Sequence, residues 1–242
     1  MAKALVIIPT YNEIGNIKPL VRDVLALESP RVTFEVLVVD DSSTDGTGKV
    51  VERLTQEHSR VHLLERPAKL GLGTAYVAGF RYALRHGFEF TATMDADFSH
   101  DPKYLPVFAE AIDGADLIIG SRYVPGGGVR NWALHRRLLS ASANFCARLA
   151  TGLWPHDCTT GFRYYRTELL RRLDLDRIRS HGYSCLMELA FVCQKSGARI
   201  VESPIVFVER REGRSKVSHH EVWRALATLS RLSARRLGER GR

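Results

Sequence analysis

The sequence predicts an α/β fold built on a mostly parallel sheet, and three observations carry that expectation. Short apolar runs of strand length alternate with segments whose apolar residues recur at three- and four-residue spacing. Successive runs end in polar and acidic residues, as the carboxyl edge of an open sheet does when it holds a ligand. Of 242 residues, 45% are hydrophobic, with only 19 Gly and 9 Pro, which allows one sizeable core and excludes a collagenous or low-complexity chain.

Taken in order, strands are expected at 4–8, 35–39, 61–64, 90–94 and 116–119. Helices are expected between them at 14–27, 47–56, 74–85 and 103–112, with Gly87 closing the third as a C-cap. Beyond Ser121 the rhythm changes within one domain. A Gly- and Arg-rich loop spans 125–130 and is a plausible lid as part of 123–137; helices are expected at 138–153 and 186–195, and one strand at 199–208. A basic amphipathic helix is expected at 221–237, so the catalytic domain is read as 1–220 and the tail as 221–242.

No run approaches the ~20 apolar residues of a membrane span, and the first apolar run stops at Pro9, short of a signal peptide. Cys146, Cys158, Cys185 and Cys193 form no CxxC pair, which argues against zinc and disulfides. The net charge is +8, and 209–242 alone holds ten Lys/Arg against four Asp/Glu, so this end faces something anionic. These features predict a cytoplasmic protein.

The sharpest local signal is Asp95-Ala96-Asp97 at a strand end, followed by Ser99 and His100. Two hard oxygen donors one residue apart suit Mg²⁺ or Mn²⁺, ions that complete their shells with water and phosphate. The first strand ends in Pro9-Thr10-Tyr11-Asn12-Glu13 and the second in 39–46, Val-Asp-Asp-Ser-Ser-Thr-Asp-Gly. Each is good turn chemistry alone; three on one sheet edge read as a nucleotide pocket. Asp41 can accept from a base N–H, Tyr11 can lie against base or ribose, and Glu13 can accept from ribose hydroxyls. Gly71-Leu72-Gly73 lacks the third glycine of a dinucleotide fingerprint, and Gly48-Lys49 lacks the rest of a P-loop.

The strings IPTYNE, VVDDSSTDGT, KLGLGTAY, MDADFSHDP, GSRYVPGGGV and TTGFRYYR, in this order, resemble the family 2 inverting glycosyltransferases of GT-A fold, and among them the dolichol- and polyprenol-phosphate mannose synthases. The likeness runs from about residue 4 to 220. It implies GDP-mannose as donor, a polyprenyl monophosphate as acceptor, and Mg²⁺ or Mn²⁺ as cofactor. It implies donor binding by Pro9, Tyr11, Glu13, Val39, Asp41, Lys69, Asp95, Ala96, Asp97, Arg122, Arg210 and Lys216, and metal binding by Asp95, Asp97 and Ser99. Ser99 stands where some relatives have Gln, a stronger donor. Asp95, Asp97, Arg122 and Arg136 are the implied catalytic set. Arginine suits the phosphates of both substrates because its fork is bidentate.

A phosphate monoester is already an anionic nucleophile, so no essential general base is expected and catalysis reduces to positioning and electrostatics. Asp157 and Glu188 are candidates to position sugar or loops, or else salt-bridge partners of arginines. His181, His219 and His220 carry no identifiable partner, and Trp132, Trp154 and Trp223 fit either a lipid boundary or the core. Many such synthases add C-terminal transmembrane helices. Here the expected attachment is peripheral, at the cytoplasmic face, through the tail and the 138–153 helix, helped by a membrane-anchored partner. Two rivals remain: the same fold using a UDP-sugar, and a basic RNA- or membrane-binding module with a degenerate fold. Nucleic acid is disfavoured by the acidic strand ends.

Overall fold

The computed structural model describes residues 1–180, 182, 184–209 and 219–240, with side chains of the last helix described for 223–236. Seven strands form the central sheet: β1 (Ala2–Thr10), β2 (Val32–Asp40), β3 (Val61–Glu65), β4 (Phe90–Thr93), β5 (Leu117–Ser121), β7 (Arg163–Arg166) and β8 (Ile200–Pro204). Their order is β3-β2-β1-β4-β7-β5-β8, and all pairings are parallel except those of β7, which runs antiparallel between β4 and β5. β6 (Gly128–Arg130) and β9 (Val206–Val208) form a separate two-stranded parallel ribbon.

Strand alternation sorts the core into two layers. Ala4, Val6 and Ile8 of β1 face α1 (Ile14–Leu25), α2 (Thr47–Glu57) and α4 (Tyr104–Ala111). Leu5 and Ile7 face α3 (Leu72–Arg85), α6 (Thr167–Arg172) and α7 (Ser184–Lys195). Tyr164 and Tyr165 repeat the division on β7. Gly79 of α3 lets the helix approach the sheet, since a Cβ there would stand 2.7 Å from Ile7. Gly87, with φ 70°, ends α3 as expected. A third cluster joins α5 (Leu134–Thr151), α7 and α8 (His219–Arg240) through Ala147, Phe191 and the fully buried Leu232.

Three expectations are corrected. The 199–208 strand is two strands in two sheets: β8 closes the main sheet, and Ile205 carries the chain away from it to pair β9 with β6. The helix expected at 138–153 begins four residues earlier, at Leu134, separated by three residues from the 125–130 loop, which itself contains β6. β7 was not expected. Among the described residues no helix is long and apolar enough to cross a membrane, and all four cysteines are free thiols.

Candidate active site

The loops leaving β1, β2 and β4 each hold a non-glycine residue in the left-handed region: Asn12, Ser42 and Phe98, at φ of 59°, 59° and 60°. Such conformations are costly and persist where surrounding contacts over-determine them. Here the contacts are visible. The Asn12 side-chain oxygen accepts from Thr44 N (2.9 Å), Asn12 N donates to Ser43 Oγ (2.9 Å), and Ser43 Oγ donates to Asp40 Oδ1 (2.6 Å). Asp45 accepts from Thr47 N and Ile14 N; burial alone would raise its carboxyl, and these hydrogen bonds hold it below the ordinary value. Asp40 and Asp45 thus tie the first two loops together. A recess of about 610 Å³ opens beside them, lined by the 42–46 turn, Lys49, Glu65 and Arg66, but Asp95 and Asp97 do not border it.

The residues expected at the nucleoside converge on β1 and β2. Pro9 stands opposite Val39 in the parallel register, and Thr10 opposite Asp40. Val39 is fully buried in the core, so only its main chain can border a ligand. Lys69 reaches over Tyr11, its Nζ 3.9 Å from the ring centroid. Glu13 precedes α1, and its Oε2 accepts from Asn16 Nδ2. Asp41 is buried and both its oxygens are engaged: Oδ1 meets Nε and Nη2 of Arg66, and Oδ2 accepts from Gly71 N (2.9 Å), which leaves Oδ2 the freer acceptor.

At the end of β4, Asp95 and Asp97 are half-buried and flank the buried Ala96. Asp95 N donates to His100 Nδ1 (3.0 Å), and Ser99 N donates to Asp97 Oδ1 (3.1 Å). Burial pushes the His100 imidazole below its usual value, against the pull of Asp95, so it stays neutral as an acceptor stacked on Phe162. The Ser99 hydroxyl is buried and lacks a hydrogen-bond partner among the described residues. Gly161 lies directly against this turn: a Cβ there would stand 2.8 Å from the Tyr76 hydroxyl and 3.2 Å from Asp95 Oδ1. Among the described residues no cluster of three His, Cys, Asp or Glu could cage a metal. Two carboxylates that leave most positions to water and phosphate fit Mg²⁺ or Mn²⁺ and do not fit a closed zinc site.

Arg122, one residue past β5, is buried with Asp157 in a bidentate pair: Nε and Nη2 donate to Oδ2 and Oδ1 at 2.7 Å each, and Nη2 also meets Thr159 Oγ1 at 2.8 Å. Burial alone would raise the Asp157 carboxyl; the Arg122 guanidinium holds it below the usual carboxylate range. Glu202 of β8 fixes this loop in turn, its oxygens accepting from Asp157 N (3.0 Å) and His156 N (2.8 Å). Trp132 lies between the two expected arginines, with Arg136 4.3 Å above its ring and Arg122 at 5.5 Å. Arg136 also donates to Glu209 Oε1 (2.6 Å). Phe207 bridges the two groups: its ring centroid lies 5.5 Å from that of His100, which accepts from Asp95 N, and 5.4 Å from the Arg122 guanidinium, so the carboxylate turn and the arginine pair are neighbours. Arg210 and Lys216 lie outside the described residues, as does His181.

Sequence reasoning did not single out Glu202, Gly161 or the packing of Trp132 on both arginines. Trp132 is buried, whereas Trp154 and Trp223 are exposed. Asp157 is an ion-pair partner of Arg122, and Glu188 of Arg231.

The comparisons bear on the fold and the family. The mannosyl-3-phosphoglycerate synthase of Rubrobacter xylanophilus superposes with a TM-score of 0.69 at 18% identity, covering 99% of this chain and 75% of that one. The glucosyl-3-phosphoglycerate synthase of Mycobacterium tuberculosis, solved with Mn²⁺ and UDP, superposes at 0.66 with 17% identity, covering 96% of this chain and 80% of that one. An undecaprenyl-phosphate mannosyltransferase of Micrococcus luteus is 46% identical over 99% of this chain and 98% of its own, and a polyprenol monophosphomannose synthase of Mycolicibacterium smegmatis 44% over 99% and 90%. The family model described as Glycosyl transferase family 2 matches residues 5–174, the segment that carries the loops after β1 and β2 and the Asp95–Asp97 turn, and the chain belongs to that family.

Proposed function

We propose that the protein transfers mannose from GDP-mannose to a polyprenyl monophosphate, inverting the anomeric carbon and releasing GDP. The observation that carries this reading is the proximity of the Asp95–Asp97 turn to the Arg122–Asp157 pair, with Phe207 between His100 and Arg122. The near-full-length similarity to two polyprenyl-phosphate mannosyltransferases supports it.

Asp95 and Asp97 would hold Mg²⁺ or Mn²⁺, which when bound supplies positive charge to the diphosphate leaving group. Tyr11, Lys69 and the β1 and β2 loops orient the nucleoside. Arg122, fixed by Asp157, and Arg136, stacked on Trp132, present cations to the phosphates of donor and acceptor. The acceptor oxygen attacks C1 of mannose from the face opposite GDP. His100, the one imidazole in the turn, is held neutral with Nδ1 occupied, and serves structure rather than proton transfer.

Access to a lipid acceptor is supported by α5, which turns Leu134, Leu138, Phe145 and Leu149 outward on one stripe, each 60 to 71% exposed. The exposed Arg137 lies beside it, as suits the anionic face of a bilayer, and peripheral docking at that face is part of the proposal. The decisive experiment is transfer of radiolabelled sugar from GDP-mannose, UDP-glucose and UDP-N-acetylglucosamine to polyprenyl phosphate, with Mg²⁺, Mn²⁺ or EDTA. Metal-dependent transfer from GDP-mannose alone is expected; transfer from a UDP-sugar alone would replace the donor.

A further inference from the structure

A second basic recess lies where α7, α8 and the 177–180 segment meet. Its volume is about 420 Å³, and Arg177, Arg179, Glu188, Arg231 and Arg235 line it. None of these residues belongs to the candidate active site. Glu188 is buried at the centre, and its Oε2 accepts from Arg179 N (3.0 Å) and Ser180 N (2.7 Å). Arg231 of α8 donates to Ser180 Oγ (2.7 Å) and stands 3.0 Å from Glu188 Oε1, close enough for an ion pair but too poorly aligned for a hydrogen bond.

The recess therefore has more positive charge than its fold uses. Of four guanidinium groups, Arg231 is balanced by Glu188 and Arg177 by Asp174 (3.0 Å), while neither Arg179 nor Arg235 has a carboxylate partner among the described residues. Arg231 Nε is moreover a buried donor without an acceptor among the described residues. A buried unpaired donor is costly, and an acceptor that supplies several oxygens to converging guanidinium forks would satisfy it. The volume suits a compact polyoxyanion: Glu188 Oε1 is a buried acceptor without a hydrogen bond among the described residues, but four guanidinium groups outnumber this one carboxylate in the lining, so a cation meets net repulsion.

We infer that this recess is a second anion site, distinct from the donor site, that binds a phosphate group held by Arg179, Arg231 and Arg235. The phosphate can be displayed on a membrane lipid headgroup or carried by a small soluble ester, since the same oxygens are offered by both.

The test compares the full-length protein with Arg179→Ala/Arg235→Ala, leaving Arg231 in place because its loss would strand Glu188. Single Arg179→Gln and Arg235→Gln variants serve if the double variant melts early. Calorimetric titration with inorganic phosphate and glycerol 3-phosphate forms the soluble arm; co-sedimentation with phosphatidylglycerol vesicles, against phosphatidylcholine vesicles at equal salt, forms the lipid arm. Binding about tenfold weaker in the variant, at unchanged Tm, is expected in one arm or both, and the arm affected identifies the source. Equal binding by variant and wild type in both arms overturns the site. No sugar donor is present in either arm, so the outcome is independent of the transfer reaction.

Discussion

Asp157 has no room for solvent and one cation to answer it. Replacing it with Asn leaves Arg122 buried against a neutral amide, and the expected cost is about 3–5 kcal/mol, read as a fall in Tm of roughly 6–20 °C by scanning calorimetry. Its pH signature has a definite sign. The folded carboxyl lies below its unfolded value, so its stabilisation is complete above about pH 4 and is lost as pH falls through the folded value. Acid unfolding of wild type should therefore steepen below about pH 4, and that component should vanish in Asp157→Asn. Asp97→Asn should behave differently: an unchanged melting curve, with transfer reduced on the order of 10² or more in the radiolabel assay.

At the scale of elements, Gly161 and α5 make separate predictions. Gly161→Ala drives a methyl into the Tyr76 hydroxyl and Asp95, so one must move. Stability should drop about 1–3 kcal/mol, and kcat/KM should fall by more than that loss of folded protein explains. On α5, Leu138→Glu with Phe145→Glu removes apolar contacts each able to contribute about 1.5–3 kcal/mol on full burial. Vesicle co-sedimentation should weaken at least about tenfold while the melting curve stays put, since both side chains already face outward. The elements that the sequence made legible are those whose signal is local. β1 and β2 carry the apolar runs 4–8 and 36–39, α1 and α2 keep helical spacing, and the polar strand exits mark the sheet edge. β7 was illegible because its four residues are Arg-Tyr-Tyr-Arg, and hydrophobic patterning reads a buried arginine as surface. Arg163 is buried nonetheless because the carbonyls of Cys158, Thr160 and Leu186 accept from its guanidinium at 2.8–3.0 Å.

In the whole molecule the same distinction governs the site. Strand-end motifs singled out Asp95, Asp97, Tyr11 and the 39–46 turn as candidates, because each is contiguous in sequence. The pairing of Arg122 with Asp157, 35 residues apart, and of Asp157 with Glu202, 45 residues apart, depends on how β5, β7 and β8 are laid side by side, and no local pattern encodes that. β7 also has a consequence for how the chain is made. It is synthesised after β4 and β5 and before β8, so until residue 166 leaves the ribosome β4 presents an unpaired edge, and β5, whose other neighbour β8 is made later still, has no partner on either side. The nascent chain thus passes through a stage at which two sticky edges are exposed together, and a chaperone that shields strand edges would act there. A chain shortened after Thr151 should freeze that stage: by sedimentation velocity it is expected to be aggregated at concentrations where the full chain remains dispersed.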